Sequence, residues 1–397
     1  MTNLLRLLFV VLAVVFPSRA ADASQPPLLP WALLEEGWIQ LFDGETLYGW
    51  RPTGDADWEV EGGEIRTRGE KPGFLMTTTE WADYEFQCEF RAPAATNSGV
   101  FLRSALEPKD PARDCYELNI APVDNPFPTG SLVARQRTTL PADKTPTPDE
   151  WHTFRVTAWA GWIIAELNGE RVADYSDPSP VRVGHIGLQS NRGPVHWRNI
   201  RLRPIELVPF LKTNDLSNFN TERGDQSRFD VTDEQLHVTS GPGQIETNAE
   251  FANFVLQLDC KVNGDGLNSG IFFRTLRIGR WAGYESQIHN GYKNDDLTQP
   301  ADFGTGGIYR RQPARRIVAQ NREWFTKTIV ADGPHIAVWV NGYQVSDWTD
   351  PRPPHENARE GLRLGAGAVA IQGHDPSTDL VFRNIRAAEL PRERNTD

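Results

Sequence analysis

The stretch Asn97–Arg103, which reads NSGVFLR, returns 171 residues later as NSGIFFR at Asn268–Arg274. The repetition extends in the same order to Trp151 and Trp324, Leu167–Gly169 and Val340–Gly342, and Arg198–Arg201 and Arg383–Arg386. A repeat of this length indicates two whole domains, because solenoid repeats span only about 20–50 residues. The chain is therefore interpreted as a tandem duplication in which each half can be compared with the other.

Apolar and polar residues alternate along much of both halves, which is the pattern of half-buried β-strands. Tyr84–Arg91 alternates throughout, and the β-rich run His335–Val340 ends at Asn341-Gly342, a strong hairpin signal. The sequence carries 33 Gly and 29 Pro residues between such short runs and has no convincing helical stripe. We predict an all-β chain with one β-sandwich in residues 37–206 and a second in residues 207–390.

The first 20 residues are predicted to be a secretory signal peptide, because Arg6 precedes the short apolar run Leu7–Phe16. That run is shorter than the roughly 20 residues of a spanning helix, so no membrane insertion is expected after signal removal. We expect a secreted or periplasmic protein. Its formal net charge of -12 repels phosphate backbones, which argues against nucleic acid as a partner.

A polar group is predicted on one face of the strand around residues 283–289. Alternation places Glu285, Gln287 and His289 together, and a neighbouring strand would add Arg274. Such a face is costly if it is buried without partners and sensible if it forms the floor of a polar ligand cleft. An Arg–Glu ion pair on a solvated face is an equally good interpretation of the same spacing.

The first half offers Arg103 and Glu117 at the corresponding positions, but it has Ala121 where the second half has His289. A further difference lies in a later turn, where the second half has Gln372, His374 and Asp375, whereas the first keeps only Gln189. Histidine suits proton transfer near neutrality. The plainer alternative is a loop histidine that is capped by its own aspartate. On the functional interpretation, only the second half is equipped for acid–base chemistry.

Two polar loops of the second half, residues 290–304 and 310–322, are expected to contribute to specificity, and Arg310 is a candidate substrate ligand. Metal binding is only weakly indicated. Suitable ligand types occur without a diagnostic spacing at His289, Asp295, Asp296, His374 and Asp375. No cofactor is predicted, although a divalent metal ion is compatible with these residues.

The ordered motifs resemble the 3-keto-disaccharide hydrolase family, also described as 3-keto-glucoside 1,2-lyase/2-hydroxy-glucal hydratase domains. The resemblance covers nearly the whole mature chain twice. In the first half it is carried by Leu41–Gly44, Asn97–Arg103, Tyr116-Glu117, Thr129-Gly130 and Trp197–Arg201. In the second half it is carried by Asn268–Arg274, Tyr284–His289, Thr305–Tyr309, Gln372–Asp375 and Phe382–Arg386.

The resemblance implies two tandem concanavalin-A-like jelly-roll β-sandwiches and an exported protein that acts on oxidised saccharides or glycosides. It also implies a mechanism in which a ketone on sugar carbon 3 acidifies the proton on carbon 2. A base removes that proton, the group on carbon 1 leaves, and water adds back. Glu285 and His374 are the candidates for base and acid, with Arg274 and His289 near the developing oxyanion.

Other functions fit parts of the same pattern. A non-catalytic glycan-binding or scaffold protein could share the lectin-like fold, because a fold by itself does not determine function. A laminarinase-type glycoside hydrolase needs two carboxylates that flank the scissile bond. No Glu-x-Asp-x-x-Glu strand occurs in the sequence, which argues against that enzyme type.

Overall fold

The computed structural model describes residues 26–211 and 214–391, and the predicted signal peptide lies outside these ranges. Nearly all regular structure in the described chain is β-strand. The exceptions are the helix α1 (Trp31–Glu36) and a single 3₁₀ turn at Ala142–Lys144.

The first domain contains thirteen strands in two antiparallel sheets. They are β1 (Ile39–Gln40), β2 (Trp50–Gly54), β3 (Glu59–Glu61), β4 (Glu64–Thr67), β5 (Gly73–Trp81), β6 (Tyr84–Arg91), β7 (Ser98–Ser104), β8 (Tyr116–Ile120), β9 (His152–Trp159), β10 (Trp162–Leu167), β11 (Glu170–Ser176), β12 (Gly184–Ser190) and β13 (Val195–Pro204). One sheet has the order β11-β10-β9-β6-β13-β4-β3, with β1 paired to β13, and the other has the order β2-β5-β12-β7-β8.

The second domain repeats this plan. Its strands are β14 (Val208–Pro209), β15 (Phe219–Asn220), β16 (Arg228–Thr232), β17 (Gln235–Thr239), β18 (Gly243–Phe251), β19 (Phe254–Val262), β20 (Ser269–Thr275), β21 (Tyr284–Ile288), β22 (Tyr292–Lys293), β23 (Asp296–Pro300), β24 (Trp324–Asp332), β25 (His335–Val340), β26 (Tyr343–Thr349), β27 (Gly367–Gly373) and β28 (Asp379–Glu389). The sheets have the orders β16-β17-β28-β19-β24-β25-β26, with β14 on β28, and β15-β18-β27-β20-β21. A small hairpin of β22 and β23 has no counterpart in the first domain.

Each core lies between an eight-stranded and a five-stranded sheet. In the first domain Phe86 of one sheet and Val100 of the other share one apolar cluster, and Leu258 and Ile271 do so in the second. The alternation predicted for Tyr84–Arg91 is observed, because every second residue of β6 is buried. The prediction of an all-β chain with two tandem jelly-roll sandwiches is confirmed.

The two domains pack directly against each other. The rings of Trp81 and Trp339 lie 5.6 Å apart, and Trp339 of the second domain belongs to the apolar cluster of the first. Arg315 Nη2 donates to Asp43 Oδ2 over 2.8 Å across the same boundary. The chain between the domains contains no flexible spacer, so the packing fixes their relative position.

Candidate functional site

The five-stranded sheet of the second domain turns one face away from the core, and we name this the polar face. Cross-strand pairing places Glu246, Ala370, Phe272 and Glu285 in one row across β18, β27, β20 and β21. The adjacent row contains Gln244 and Gln372 as one pair, and Gly270 and Gln287 as another. Directly paired residues of antiparallel strands project to the same side, so the predicted grouping of Glu285 with Gln287 is observed.

Glu285 is the most perturbed carboxyl group on the polar face. Its side chain is 7% exposed, and burial raises its pKa to about 7. The nearby charges of Arg359, Lys327 and Arg310 act in the opposite direction, and Arg359 Nη2 lies 3.1 Å from Glu285 Oε2. A carboxyl group with this pKa exchanges protons readily at neutral pH, which is the requirement for general acid–base catalysis.

The repeated Asn-Ser-Gly motif creates the space that Glu285 occupies. A Cβ atom on Gly270 would lie 2.6 Å from Glu285 Oε1, so only glycine fits beneath this carboxyl group. Ser269 Oγ donates to the carbonyl oxygen of Gln372 over 2.7 Å and ties β20 to β27. Asn268 Nδ2 donates to Asp302 Oδ2 over 2.6 Å and holds the loop that follows β23.

Loops of the second domain build a wall beside Glu285. The partly open cavity there has a volume of about 170 Å³ and is lined by Gly283, Tyr284, Glu285, Tyr309, Arg310, Arg311, Arg352, Ala358, Arg359 and Glu360. Arg352 forms a bidentate ion pair with Asp350, and both contacts are 2.8 Å long. This pair fixes the start of the loop that carries Arg359.

Glu246 lies at the opposite end of the row from Glu285 and has a different environment. It is 1% exposed and is bound by Arg223 Nη1 at 2.9 Å and Arg277 Nη1 at 3.1 Å. Gln244 Nε2 also donates to this carboxylate at 2.5 Å. Contacts with three side chains hold this carboxylate in place, so we assign it a structural role on the polar face.

Several buried polar atoms around the polar face have no hydrogen-bond partner within the described chain. They are Gln372 Oε1, Asn268 Oδ1 and Trp281 Nε1. Buried polar groups in native proteins are almost always satisfied, and an ordered water or a ligand can supply the missing partner. Acceptors and a donor of this kind match the hydroxyl groups of a saccharide.

Arg274 does not belong to this site, which corrects the prediction. It is fully buried, and its guanidinium donates to the carbonyl oxygens of Ala252, Gly333 and Arg363, each over 2.7 Å. The alternation fails here because Arg274 has a left-handed φ of 50° and the pairing of β20 with β27 shifts register at this point. The side chain therefore joins loops at the sheet end and cannot reach a ligand.

Arg103 repeats this arrangement in the first domain and requires the same correction. Its φ is 47°, and its guanidinium donates to the carbonyl oxygens of Ala82, Ala160 and Val181 and to Asp83. The arginine that ends both heptapeptides therefore has a structural role. Its function is to satisfy backbone carbonyls where strands end.

His374 and Asp375 lie beyond the end of β27 and form a pair of their own. His374 Nδ1 lies 2.7 Å from Asp375 Oδ2, and the histidine side chain is 40% exposed. Ala370 is in the row of Glu285, and His374 follows four residues later, about 13 Å further along the sheet. Neither residue lines the cavity beside Glu285, so Glu285 and His374 are not brought together.

The remaining candidates of the second domain are divided between the two ends of the sheet. Gln287 is buried and donates to Asp302 Oδ2 over 2.9 Å, and Arg310 lines the cavity beside Glu285. His289 lies two residues beyond Gln287, where its Nδ1 accepts a hydrogen bond from the Gly291 amide over 3.3 Å. His289 is therefore away from the cavity, near the His374 end of the polar face.

The first domain has an equivalent five-stranded sheet, but the outer face of that sheet has fewer charged residues. Glu117 is 7% exposed, and burial alone raises its pKa to about 7. Phe101 and Gly187 separate it from Met76, which stands where the second domain has Glu246. Gln189 keeps an unpartnered Oε1, as Gln372 does. Glu117 has the burial of Glu285, but among the residues that the structure describes it forms no ion pair with an arginine.

A larger cavity, about 340 Å³, lies at one end of the first domain and does not include Glu117. Its lining is mainly apolar, with prolines such as Pro93, Pro122 and Pro148. His152 borders it, but both ring nitrogens are already engaged, by the Thr147 carbonyl and the Asn168 amide. The smaller cavity of the second domain, which is lined by charged side chains, is therefore the better candidate for an active site.

Three important residues of the second domain were missed from the sequence. Arg359 is in a loop whose sequence has no periodicity. The length of the loop was nevertheless visible in the sequence, because Gly367 lies 17 positions after Asp350, whereas Gly184 of the first domain lies seven positions after Asp177. Comparison of the two halves could not identify Glu246, because the first domain has Met76 at the equivalent position. Lys327 lies in a strand core, where burial lowers its pKa to about 7 and its Nζ donates to the carbonyls of Ser286 and Gln287.

No three His, Cys, Asp or Glu side chains within residues 26–211 and 214–391 lie close enough together to hold a metal ion. Over the same part of the chain, no helix is sufficiently long and apolar to cross a membrane.

Residues 37–203 and 209–388 each match the profile of the 3-keto-alpha-glucoside-1,2-lyase-like domain. A 3-keto-disaccharide hydrolase of Bacteroides thetaiotaomicron is 23% identical in a 250-residue alignment that covers 48% of this chain and 86% of that protein. Two solved structures from Parabacteroides distasonis, provisionally described as glycosyl hydrolases, are 20% and 26% identical, with TM-scores of 0.40 and 0.38. They cover 46% and 47% of this chain and 100% of their own. Since the matched segments span most of the chain, this protein belongs to the carbohydrate-active 3-keto-alpha-glucoside-1,2-lyase-like domain family and carries two copies of the domain.

Proposed function

We propose that the second domain cleaves 3-keto-glycosides and that Glu285 transfers the proton. The observation that carries this proposal is a buried carboxyl group with a pKa of about 7 that contacts Arg359 at 3.1 Å beside a cavity. The unpartnered atoms of Gln372 and Trp281 on the same side of the domain support a hydroxyl-rich ligand. The resemblance to a 3-keto-disaccharide hydrolase supplies the substrate class.

The reaction divides into elimination and hydration. Glu285 accepts the proton from carbon 2, which is acidic because carbon 3 bears a ketone, and the electron pair forms an enolate on the ketone oxygen. Arg359 stabilises this negative charge. The enolate then expels the group on carbon 1 with its bonding electrons. Water then adds across the resulting double bond: its hydroxyl goes to carbon 1, its proton goes to the departed group, and Glu285 returns its proton to carbon 2, so that the net reaction is hydrolysis.

His374 takes a different role in this proposal from the one predicted. It lies about 13 Å along the sheet from the row of Glu285, so the two groups do not act on the same proton. We propose that His374, with its partner Asp375, contacts the far sugar unit of a disaccharide. We accordingly assign proton transfer to Glu285 and substrate contact to His374.

Direct displacement with two carboxylates is the less suitable mechanism for this face. Glu246 and Glu285 are separated by three strand spacings, about 14 Å. Glycoside hydrolases hold their carboxyl pairs at only about 5–10 Å. In addition, Arg223 and Arg277 bind the two carboxylate oxygens of Glu246.

The proposal is tested with Glu285→Gln and the matched variant Glu117→Gln in the first domain. Removing a general base costs about 10²–10⁴-fold in rate, so we expect kcat for a 3-keto-glucoside to fall by at least 100-fold in Glu285→Gln. Glu117→Gln should retain most of the turnover. The proposal is wrong if Glu285→Gln is folded and fully active, or if only Glu117→Gln loses activity.

Glycan binding without turnover is the second candidate function, and the first domain favours it locally. That domain keeps the unpartnered atoms Gln189 Oε1 and Asn119 Oδ1 but pairs Glu117 with no arginine. Binding of a keto-sugar by the purified wild-type protein without release of the aglycone would support this alternative over the enzyme.

We also propose that the protein is exported to the periplasm or the medium, on the basis of the signal-like residues 1–20. N-terminal sequencing of the mature protein should show cleavage close to Ala20. An intact N-terminus on protein that is recovered from the cytoplasm would contradict export.

A further inference from the structure

The cavity beside Glu285 contains more positive charge than its own carboxylates balance. Arg310, Arg311, Arg352 and Arg359 line it, against Glu285 and Glu360. The protein as a whole has a formal charge of -12, so this concentration of arginines is not a consequence of general composition. Like charges held close together repel one another, and such an arrangement is stabilised when an anion binds between them.

Two of these arginines already have carboxylate partners. Arg352 pairs with Asp350 at 2.8 Å, and Arg359 pairs with Glu285 at 3.1 Å. Arg311 instead donates to backbone carbonyls of Arg310 and Arg359, which holds the loop in place.

Arg310 is the uncommitted member of the group. It is exposed, and within the described residues it forms no ion pair with a carboxylate. Its guanidinium carbon lies 5.4 Å from the centre of the Tyr309 ring, and its charge acts on Glu285. Its φ of 60° is left-handed, which turns the backbone sharply at the cavity rim. The first domain has Ala134 at this position, also with a φ of 60°.

We propose that the second domain recognises an acidic saccharide and that Arg310 binds its anionic substituent, a carboxylate or a sulfate ester. The inference rests on the proposed function for the location of the sugar ring beside Glu285. Guanidinium groups suit both anions because their planar array of donors matches two oxygens at once. Arg359 remains paired with Glu285, so the substituent is bound next to the reacting carbons and not at them.

The experiment compares three substrates with the same aglycone: a 3-keto-glucoside, the corresponding 3-keto-glucuronide and a sulfated 3-keto-glucoside. We expect kcat/KM of the wild-type protein to be higher for an acidic substrate than for the neutral one, and to fall with added salt. The preferred acid then distinguishes a uronic acid from a sulfate ester. Equal or lower kcat/KM for both acidic substrates would overturn the inference.

Arg310→Ala isolates the proposed contact. One charge-assisted hydrogen bond is worth about tenfold, so the ratio of kcat/KM for the preferred acidic substrate to that for the neutral substrate should fall by about tenfold. Arg310→Lys should keep part of the ratio. Arg171→Ala removes the same unit of charge from an exposed ion pair in the first domain and should leave the ratio unchanged. An unchanged ratio in Arg310→Ala would contradict the assignment.

A binding measurement separates this inference from the proposed function. If no keto-substrate is turned over, the proposed function fails, and calorimetry with glucuronate, glucose sulfate and glucose tests the inference alone. Tighter binding of an acidic sugar than of glucose, weakened in Arg310→Ala, would support it. The absence of any such preference would reject it independently of catalysis.

Discussion

Glu117 and Glu285 show how far one position can differ between two copies of a domain. Both lie in the second position of equivalent strands, both are 7% exposed, and burial raises both pKa values to about 7. Their neighbours differ. Glu285 contacts Arg359, whereas desolvation alone acts on Glu117. Within the described residues, the second domain pairs this carboxyl group with an arginine and the first does not, and the proposed elimination requires such a cation to stabilise the enolate.

The pH dependence of turnover is a direct consequence of the environment of Glu285. Because the base must be ionised, kcat/KM should rise with pH through an inflection near 7. Arg359 lowers the pKa of Glu285, so Arg359→Ala should move the inflection to higher pH as well as reduce the maximum rate. The measurement is kcat/KM from pH 5 to 9. A profile in Arg359→Ala that is lower but unshifted would mean that Glu285 is not the titrating group.

Alternation in the sequence was sufficient to predict that Glu285 and Gln287 share a face, because β21 is a regular strand. It failed for Arg274, where a left-handed residue and a shift in register turn the side chain off the alternating pattern. Backbone conformation of this kind is set by tertiary contacts, here by three carbonyl oxygens from distant loops. A sequence pattern carries little information about such contacts.

At the scale of elements, the duplication made the fold predictable, but the loops were still hard to predict. Strand runs and the Asn341-Gly342 turn follow local rules, and both turn residues have the positive φ that such a hairpin requires. The loop from Asp350 to Gly367 follows no period, and its position depends on the Asp350–Arg352 ion pair. Only the unequal spacing in the two halves indicated that an extra segment exists.

The strand β20 provides an element-scale prediction, because its glycine sets the position of the neighbouring carboxyl group. In Gly270→Ala the new Cβ would lie 2.6 Å from Glu285 Oε1 and 2.9 Å from Glu285 Cγ, so the side chain must move. We expect kcat to fall by about tenfold or more, since misplacement of a base by 1 Å can cost about 10²-fold. Enzyme assays and thermal unfolding of the same preparation measure activity and fold separately.

Gly99→Ala in β7 is the matched control for this substitution. A Cβ atom there would lie 3.2 Å from Glu117 Oε1 and 3.2 Å from the Leu118 carbonyl oxygen, so its neighbours must move by only a few tenths of an ångström. Its effect on turnover should be small. Equal losses of activity in the two variants at equal stability would indicate that the proposed location of the active site is wrong.

The whole molecule behaves as one unit only if the contact between its domains is strong, and Trp339 is central to that contact. It is 2% exposed, lies 5.6 Å from Trp81, and its Nε1 donates to the Gln40 carbonyl over 2.9 Å. Replacing a buried tryptophan by alanine costs about 3–5 kcal/mol. In Trp339→Ala we therefore expect the single calorimetric unfolding transition of the wild-type protein to separate into two. Trp162→Ala, at an exposed position of the first domain, should keep one transition. Two separate transitions in the wild-type protein would show instead that the domains unfold independently despite their contact.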